Sequence, residues 1–397
     1  MKTIIFILKI LNSRWKFKKP SKKNILIFDG FYNPFKKKFK KNSFNLFYAR
    51  LEELNFYILI KCLKKKSLNF QTYIKTYIET TKPKIIISGL DNSLKFLKLS
   101  EITNVPLISV QNGYRTKVGD LSSNIIESKK QGYKFFVNEM FVYNKKISKD
   151  YSKFIDGKKT IIGSYKNNNS KIKKIKFSKK KGMLFISCFK PKKDGSMIDN
   201  ISYEEFYKKD HLVAERLSVL SKKNKIDFAI LARQKTRYGL LQEYNYYKKN
   251  IKSNFYFIEN YHNRNYFKYM DSYKYVATID STLPIENLSR GGRSIFIFSR
   301  PLKKLLKTRR YGFNEGLPKK GFYWTDTVNK KEIDRLFYNL ILKDKKFWIK
   351  CRRINNKYVM KFDLDNKIFE KKIRRYLENK LNQKLITPIE AVSSKNK

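Results

Sequence analysis

The chain has 397 residues, 15% aromatic and 41% hydrophobic, enough for two ordinary cores and too apolar for a disordered chain despite 31% charged residues. Its formal net charge of +57 is mostly lysine, with 17 arginines among 90 basic residues, dispersed along the whole length. That pattern argues against base-reading nucleic-acid recognition, which leans on arginine forks, and it also fits the composition an A/T-rich genome imposes; either way the surface attracts anionic lipid head groups and anionic substrates.

Cys62, Cys188 and Cys351 lie far apart without metal-ligand spacing, which points to a reducing compartment with no disulfide framework and no zinc. No run is long enough to span a membrane. Thr3 to Leu11 is apolar but short, interrupted by Lys9 and followed by Arg14-Trp15-Lys16 instead of a small-residue cleavage site. Met1 to Lys19 therefore reads either as a buried first helix or as an amphipathic helix on a membrane surface.

In chain order, Asn24 to Asp29 is a strand ending in Asp29-Gly30, Phe44 to Lys64 has apolar residues at roughly helical spacing, and Gln71 to Thr80 is a helix stopped by Lys82-Pro83. Strand Lys84 to Ser88 ends in Gly89-Leu90-Asp91-Asn92. Helix Ser93 to Ile102 leads to strand Pro106 to Val110, closed by Gln111-Asn112-Gly113-Tyr114-Arg115. Further strands are Phe135 to Tyr143 and Thr160 to Gly163. Alternating strands and helices with polar residues after each strand predict a doubly wound parallel sheet.

Tyr165 to Lys181 is polar, basic and aperiodic, the best candidate linker, and the pattern then restarts. Strand Met183 to Cys188, helix Tyr203 to Lys222, and strands Phe228 to Ala232 and Phe255 to Ile258 lead into Ser272 to Arg300. That stretch reads as strand Val276–Ile279, turn Asp280-Ser281-Thr282, a helix through Ser289, a turn at Gly291-Gly292 and strand Ile295–Phe298. The region from Lys330 is helical with Ile333, Leu336, Phe337 and Leu340 on one face; Lys367 to Leu381 is helical again, and Thr387 to Lys397 is a polar tail. The domains expected are 1–165, a linker 166–181, 182–350, and a helical segment and tail 351–397.

Ligands of parallel sheets sit beyond the carboxyl ends of the strands. Ser281 and Thr282 lie there, at a helix mouth whose N–H groups can hold a phosphate, against the alternative of plain capping. Pro284 removes one of those donors, and Glu286 in the first turn can accept from a ribose hydroxyl or merely complement the dipole.

Several stretches resemble bacterial surface-carbohydrate (lipopolysaccharide and capsule) biosynthesis proteins of GT-B type, in the same order: Tyr48-Ala-Arg50-Leu-Glu52-Glu53-Leu-Asn55, Asp91-Asn92, Gln111-Asn112-Gly113-Tyr114-Arg115, Gly163-Ser164, Asp280-Ser281-Thr282-Leu283 with Glu286 and Arg290-Gly291, Gly321-Phe-Tyr-Trp324-Thr325, and Asp363-Leu-Asp365-Asn366. The resemblance implies an α/β protein of two Rossmann-like doubly wound domains facing across a cleft. It also implies transfer of a sugar from a nucleotide-activated donor, held by the second domain, to a surface glycan or its lipid-linked precursor on the first. The family more often has Gly where this chain has Pro284.

With only His211 and His262 present, a carboxylate is the expected base: Asp91 first, beside Asn92, with Asp29 as runner-up and loop-start capping as the alternative for both. Arg233 joins Ser281, Thr282 and Glu286 on the donor side, with Arg293 a weaker choice. Gln111, Asn112 and Arg115 are expected on the acceptor side with Asp29 and Asn92. No metal or other cofactor is expected, and Asp363-Leu364-Asp365 reads as a capping turn. The expected location is cytoplasmic, with peripheral contact to an anionic membrane and no specific nucleic acid. Competing readings are polyol-phosphate transfer from a CDP-linked donor, a basic nucleic-acid-binding protein, and a degenerate assembly partner.

Overall fold

The computed structural model describes residues 12–113 except 31, 32, 36 and 37, then 123–190, 209–259, 266–298 and 320–378, together with 197, 198, 201, 202, 205, 207 and 318. Its strands are β1 (Arg14–Lys16), β2 (Ile25–Phe28), β3 (Phe44–Phe47), β4 (Glu53–Asn55), β5 (Ile85–Ser88), β6 (Leu107–Val110), β7 (Phe135–Val142) and β8 (Ile155–Ile161) in the first half. The second half contributes β9 (Lys181–Ile186), β10 (Met197–Ile198), β11 (Ile201–Ser202), β12 (Phe228–Leu231), β13 (Tyr256–Ile258), β14 (Tyr273–Thr278), β15 (Arg293–Ile297) and β16 (Trp324–Thr325).

Two six-stranded sheets result, both wholly parallel: β3-β2-β5-β6-β7-β8 and β13-β12-β9-β14-β15-β16. The central strands are short unbroken apolar runs, such as Ile25–Phe28 and Phe228–Leu231, buried along their whole length. Such runs need cover on both faces, which helical crossovers of parallel sheets supply. On one face of the first sheet Leu26, Phe28 and Ile86 pack with Ile58, Cys62 and Ile74 of helices Phe56–Lys64 and Phe70–Thr81. On the other, Ile25, Ile27, Ile85 and Ile87 meet Phe369, Ile373 and Tyr376, so the late helix Lys367–Leu377 crosses back to seal the first lobe.

The two crossings between lobes touch. Gly163 has φ +77°, and a Cβ there would lie 1.7 Å from the carbonyl oxygen of Lys361, so only glycine lets the outgoing and returning chains pass. Gly163 also bridges Phe362.

The expected strands are found, with these differences. Phe44 to Lys64 is not one helix: Phe44–Phe47 is the edge strand beside β2 and the helix begins at Phe56. Of the expected helix Tyr203 to Lys222, the described part includes Asp210–Lys223, and helix Arg237–Asn250 is an addition. The segment expected as the linker is tied to the second lobe: Lys173 N–H donates to Asp271 (2.9 Å) and buried Arg290 donates to the Asn167, Ser170 and Lys171 carbonyls. Arg14–Lys16 is a strand paired with β4 where the sequence suggested an amphipathic helix; Met1 to Leu11, Arg115, His262 and the tail lie outside the described residues. All three cysteines are buried and none forms a disulfide. No helix of the described residues is long and apolar enough to cross a membrane.

Candidate active site

In the second sheet the first strand of the lobe, β9, has β12 on one side and β14 on the other, so successive connections leave in opposite directions. At this reversal the loops at the carboxyl ends diverge and leave a crevice. Three exits line it: Ser187 to Phe189 after β9, Ala232 to Gln234 after β12, and Ile279 to Thr282 after β14.

The exits are tied together. Thr278, fully buried, donates from Oγ1 to the Ile186 carbonyl (3.1 Å) and lies 3.6 Å from Cys188 Sγ. The buried Glu243 carboxylate accepts from the Arg233 N–H (3.0 Å) and the Gln234 N–H (2.8 Å), folding the β12 exit around itself. Burial raises the Glu243 pKa against those bonds. The exposed Arg233 side chain reaches across β9 and donates from Nη1 to the Cys188 carbonyl (2.9 Å). Ser281 and Thr282 are half-buried; Ser281 Oγ accepts from the Leu283 N–H (3.3 Å), while the Thr282 hydroxyl caps no helical N–H. Arg233, Ser281 and Thr282 thus leave from the carboxyl ends of β12 and β14, the two strands that flank β9.

Glu286 is not at the mouth. One turn into helix Leu283–Ser289, its carboxylate accepts a short hydrogen bond from the Ser164 hydroxyl, at the seam with the first lobe. Burial lifts its pKa to about 7, against the Ser164 bond and the nearby Lys166 and Arg290 charges. Arg290, one turn further, donates to Asp271 (2.8 Å) with both side chains almost wholly buried. Arg293 starts β15, at the end of the sheet away from the crevice, and bonds the Lys343 carbonyl.

The first sheet has its own reversal, between β2 and β5, and both candidate acids leave there. Asp91 is 0% exposed and fully engaged: Oδ1 accepts from the Asn112 N–H (3.2 Å) and Oδ2 takes a short bond from the Tyr151 hydroxyl. Asp29 is held differently. Its Oδ2 accepts from exposed Arg50 (3.2 Å), whereas Oδ1 has no hydrogen-bond partner among the described residues, and its φ of +66° is an uncommon backbone state for a residue with a Cβ. Burial raises its pKa, with Arg50 opposing and Glu52 reinforcing. Gln111 is a brace, accepting from the Tyr143 N–H (2.9 Å) and donating to the Gly113 carbonyl (2.7 Å). Asn92 and Asn112 are half-buried on the same rim.

Asp363 accepts from the Ile368 N–H (2.9 Å), the capping turn expected of Asp363-Leu364-Asp365. His211 is half-buried in helix Asp210–Lys223, its pKa lowered by burial. Among the described residues no three His, Cys, Asp or Glu side chains gather as a metal site. Glu243, Tyr151 and Thr278 were missed by the sequence reading. The one available signal was Thr236, which caps helix Arg237–Asn250 through the Gly239 N–H.

Two Rossmann-like doubly wound lobes, each with polar groups at its strand reversal, define a GT-B-like fold. The chain belongs to the family described as "putative O-antigen biosynthesis protein", whose model matches residues 108–377, and so to surface-carbohydrate biosynthesis. No curated protein matches it. Among solved structures it is similar to a "putative UDP-N-acetylglucosamine 2-epimerase" from Listeria monocytogenes, at 12% identity and TM-score 0.52, covering 93% of this chain and 99% of that one. It is also similar to S. aureus MnaA solved with UDP, at 13% identity and TM-score 0.51, covering 92% and 99%. A chain of the glycosylation-associated Gap123 complex of Streptococcus agalactiae aligns at 11% identity and TM-score 0.43 over 79% of this chain, which spans 56% of that one. At these identities the likeness is one of fold.

Proposed function

We propose that this protein is a GT-B glycosyltransferase that moves a sugar from a nucleotide-activated donor to a surface glycan or its lipid-linked precursor, on the cytoplasmic side and in peripheral contact with an anionic membrane. The observation that carries the proposal is the strand reversal at β9, where Arg233 bonds the β9 exit from the β12 side and the half-buried Ser281-Thr282 pair leaves β14 on the other side. A guanidinium beside hydroxyls and a helix mouth is a chemistry for a diphosphate leaving group. On the first lobe the base in this proposal is Asp29: buried like Asp91, it has one oxygen without a partner among the described residues and a pKa raised by burial, while both Asp91 oxygens accept from protein donors. Asp91 then holds the Asn112 backbone and with it the acceptor rim. Asn92 completes that rim.

The experiment is thermal unfolding with a panel of nucleoside diphosphates and nucleotide sugars. A binder at about a hundredfold excess over Kd adds roughly 2.7 kcal/mol, and Arg233→Ala or the pair Ser281→Ala/Thr282→Ala removes that gain. Absence of any shift across the panel overturns the donor site. Product analysis separates the activities, since sugar transfer leaves no phosphate in the new linkage and polyol-phosphate transfer does.

A further inference from the structure

Helix Phe56–Lys64 carries two apolar stripes. Ile58 and Cys62 are fully buried against the first sheet, as the inner face of a surface helix should be. Phe56, Ile60 and Leu63 recur at the spacing of the opposite face and are 43%, 39% and 56% exposed. A second element extends this stripe. Trp15, in β1, and Phe17, just after it, are 36% and 69% exposed, and their rings meet the Phe56 ring at centroid distances of 6.4 and 5.7 Å. The result is a continuous patch of five large apolar side chains on a chain whose mean hydropathy is −0.58.

The rim is basic. Residues 12–24 hold six Lys or Arg and residues 56–66 hold four, with no Asp or Glu in either segment. Lys61 and Lys19 lie over the Tyr57 ring at 5.0 and 5.9 Å. The acids that reach this rim are Glu53, facing Arg14 and Lys16, and Glu79, paired with Lys65 at 2.7 Å. Among the described residues Lys18, Lys64 and Lys66 make no ion pair. Aromatic and aliphatic side chains ringed by lysine match the boundary of an anionic bilayer, where rings sit at head-group level and lysines meet phosphate.

We infer that Trp15, Phe17, Phe56, Ile60 and Leu63, with their lysine rim, dock this protein on the surface of an anionic phospholipid membrane. The position suits the proposed function, on which the consequence for catalysis rests: the Arg14 N–H donates to the Glu52 carbonyl (3.1 Å), and Glu52 accepts from the N–H of Arg50, the partner of Asp29. A groove of about 500 Å³ with Trp15, Phe17, Tyr48 and Tyr73 in its walls runs alongside β3 at the same edge. Docking there sets the acceptor side of the first lobe against the membrane, where a lipid-linked acceptor resides.

The test is flotation of the full chain with vesicles of phosphatidylcholine alone and of phosphatidylcholine mixed with phosphatidylglycerol. The wild type floats with the mixed vesicles, and Phe17→Ser/Phe56→Ser/Leu63→Ser lowers its partition at least ~10-fold, since three exposed apolar side chains no longer insert. Lys18→Gln/Lys64→Gln/Lys66→Gln lowers it by a further margin that salt diminishes. These side chains fill no core, so both variants keep the wild-type circular dichroism and the wild-type response to nucleotide. Flotation unchanged by the apolar triple, as when a protein of charge +57 merely adsorbs, overturns the assignment. So does a wild type that fails to float, or one that self-associates through these residues in sedimentation. The vesicles contain no nucleotide, so failure here leaves the donor-site shift standing, and failure of that shift leaves the docking result standing.

Discussion

Replacing Glu286 by Gln isolates the energetics of the seam between the lobes. The Glu286 carboxyl is fully enclosed, takes the Ser164 hydroxyl, and has its pKa raised from 4.5 to about 7 because burial penalises the charged form more than Ser164, Lys166 and Arg290 favour it. In the unfolded chain it titrates near 4.5, so between that value and about 7 the folded state binds more protons. Stability from this group is therefore fully present below pH 4.5 and is lost as pH rises through 7. The full loss is on the order of 3 kcal/mol. Gln resembles the protonated acid, with one acceptor for Ser164 and a donor where the acid carries its proton, but it does not titrate. Whatever constant cost the second amide hydrogen adds, it cancels when the variant-minus-wild-type difference is compared between acid and alkaline pH. That difference should shift in favour of Glu286→Gln by on the order of 3 kcal/mol in urea unfolding measured across the window. Parallel curves for the two proteins would refute the reasoning, as would a shift toward the wild type.

Two further perturbations follow from the same accounting of buried polar groups. Arg290→Ala leaves the buried Asp271 carboxylate with only the Lys173 N–H and takes the guanidinium from the Asn167, Ser170 and Lys171 carbonyls, a loss of about 3–5 kcal/mol in urea unfolding; Arg290→Lys recovers only part of it, because an ammonium cannot span the fork. A loss under about 1 kcal/mol would show the seam to be soft. Asp29→Asn keeps the fold, since Asn tolerates positive φ, but lowers the transfer rate by about 10²–10⁴ and abolishes the rise of kcat/KM with pH through a value above the ordinary 3.8; an unchanged rate removes Asp29 from catalysis. Tyr151→Phe acts on stability instead, removing the hydroxyl that donates to the buried Asp91 carboxylate at a cost of about 1–3 kcal/mol.

What the sequence made legible depended on how local each signal is. Ile25–Phe28, Ile85–Ser88, Leu107–Val110 and Phe228–Leu231 were readable because a strand buried on both faces is an unbroken apolar run, and the run needs no knowledge of its neighbours. Phe44–Phe47 misled because it is an edge strand, only partly buried, whose apolar residues continue in near-helical spacing into Phe56–Lys64. Helix Arg237–Asn250 passed unread for the opposite reason. It buries only Gly239, Leu240, Glu243 and Tyr247, and one of those four is a carboxylate serving a loop.

The functional residues divide in the same way, and the division separates Asp29 from Asp91. Each is an acidic residue just past a central strand of one sheet, and nothing within ten residues ranks them. Asp91 accepts from a tyrosine 60 residues later in the chain, and Asp29 is distinguished by a backbone angle and an oxygen without a donor among the described residues. Glu286 follows the same logic, drawn off the helix mouth by Ser164, 122 residues earlier. How a carboxylate after a strand is oriented, and how basic it is, depends on which distant hydroxyls and amides reach it. The strand order brings such groups to one end of the sheet, and the choice among them is made by partners that no local window contains.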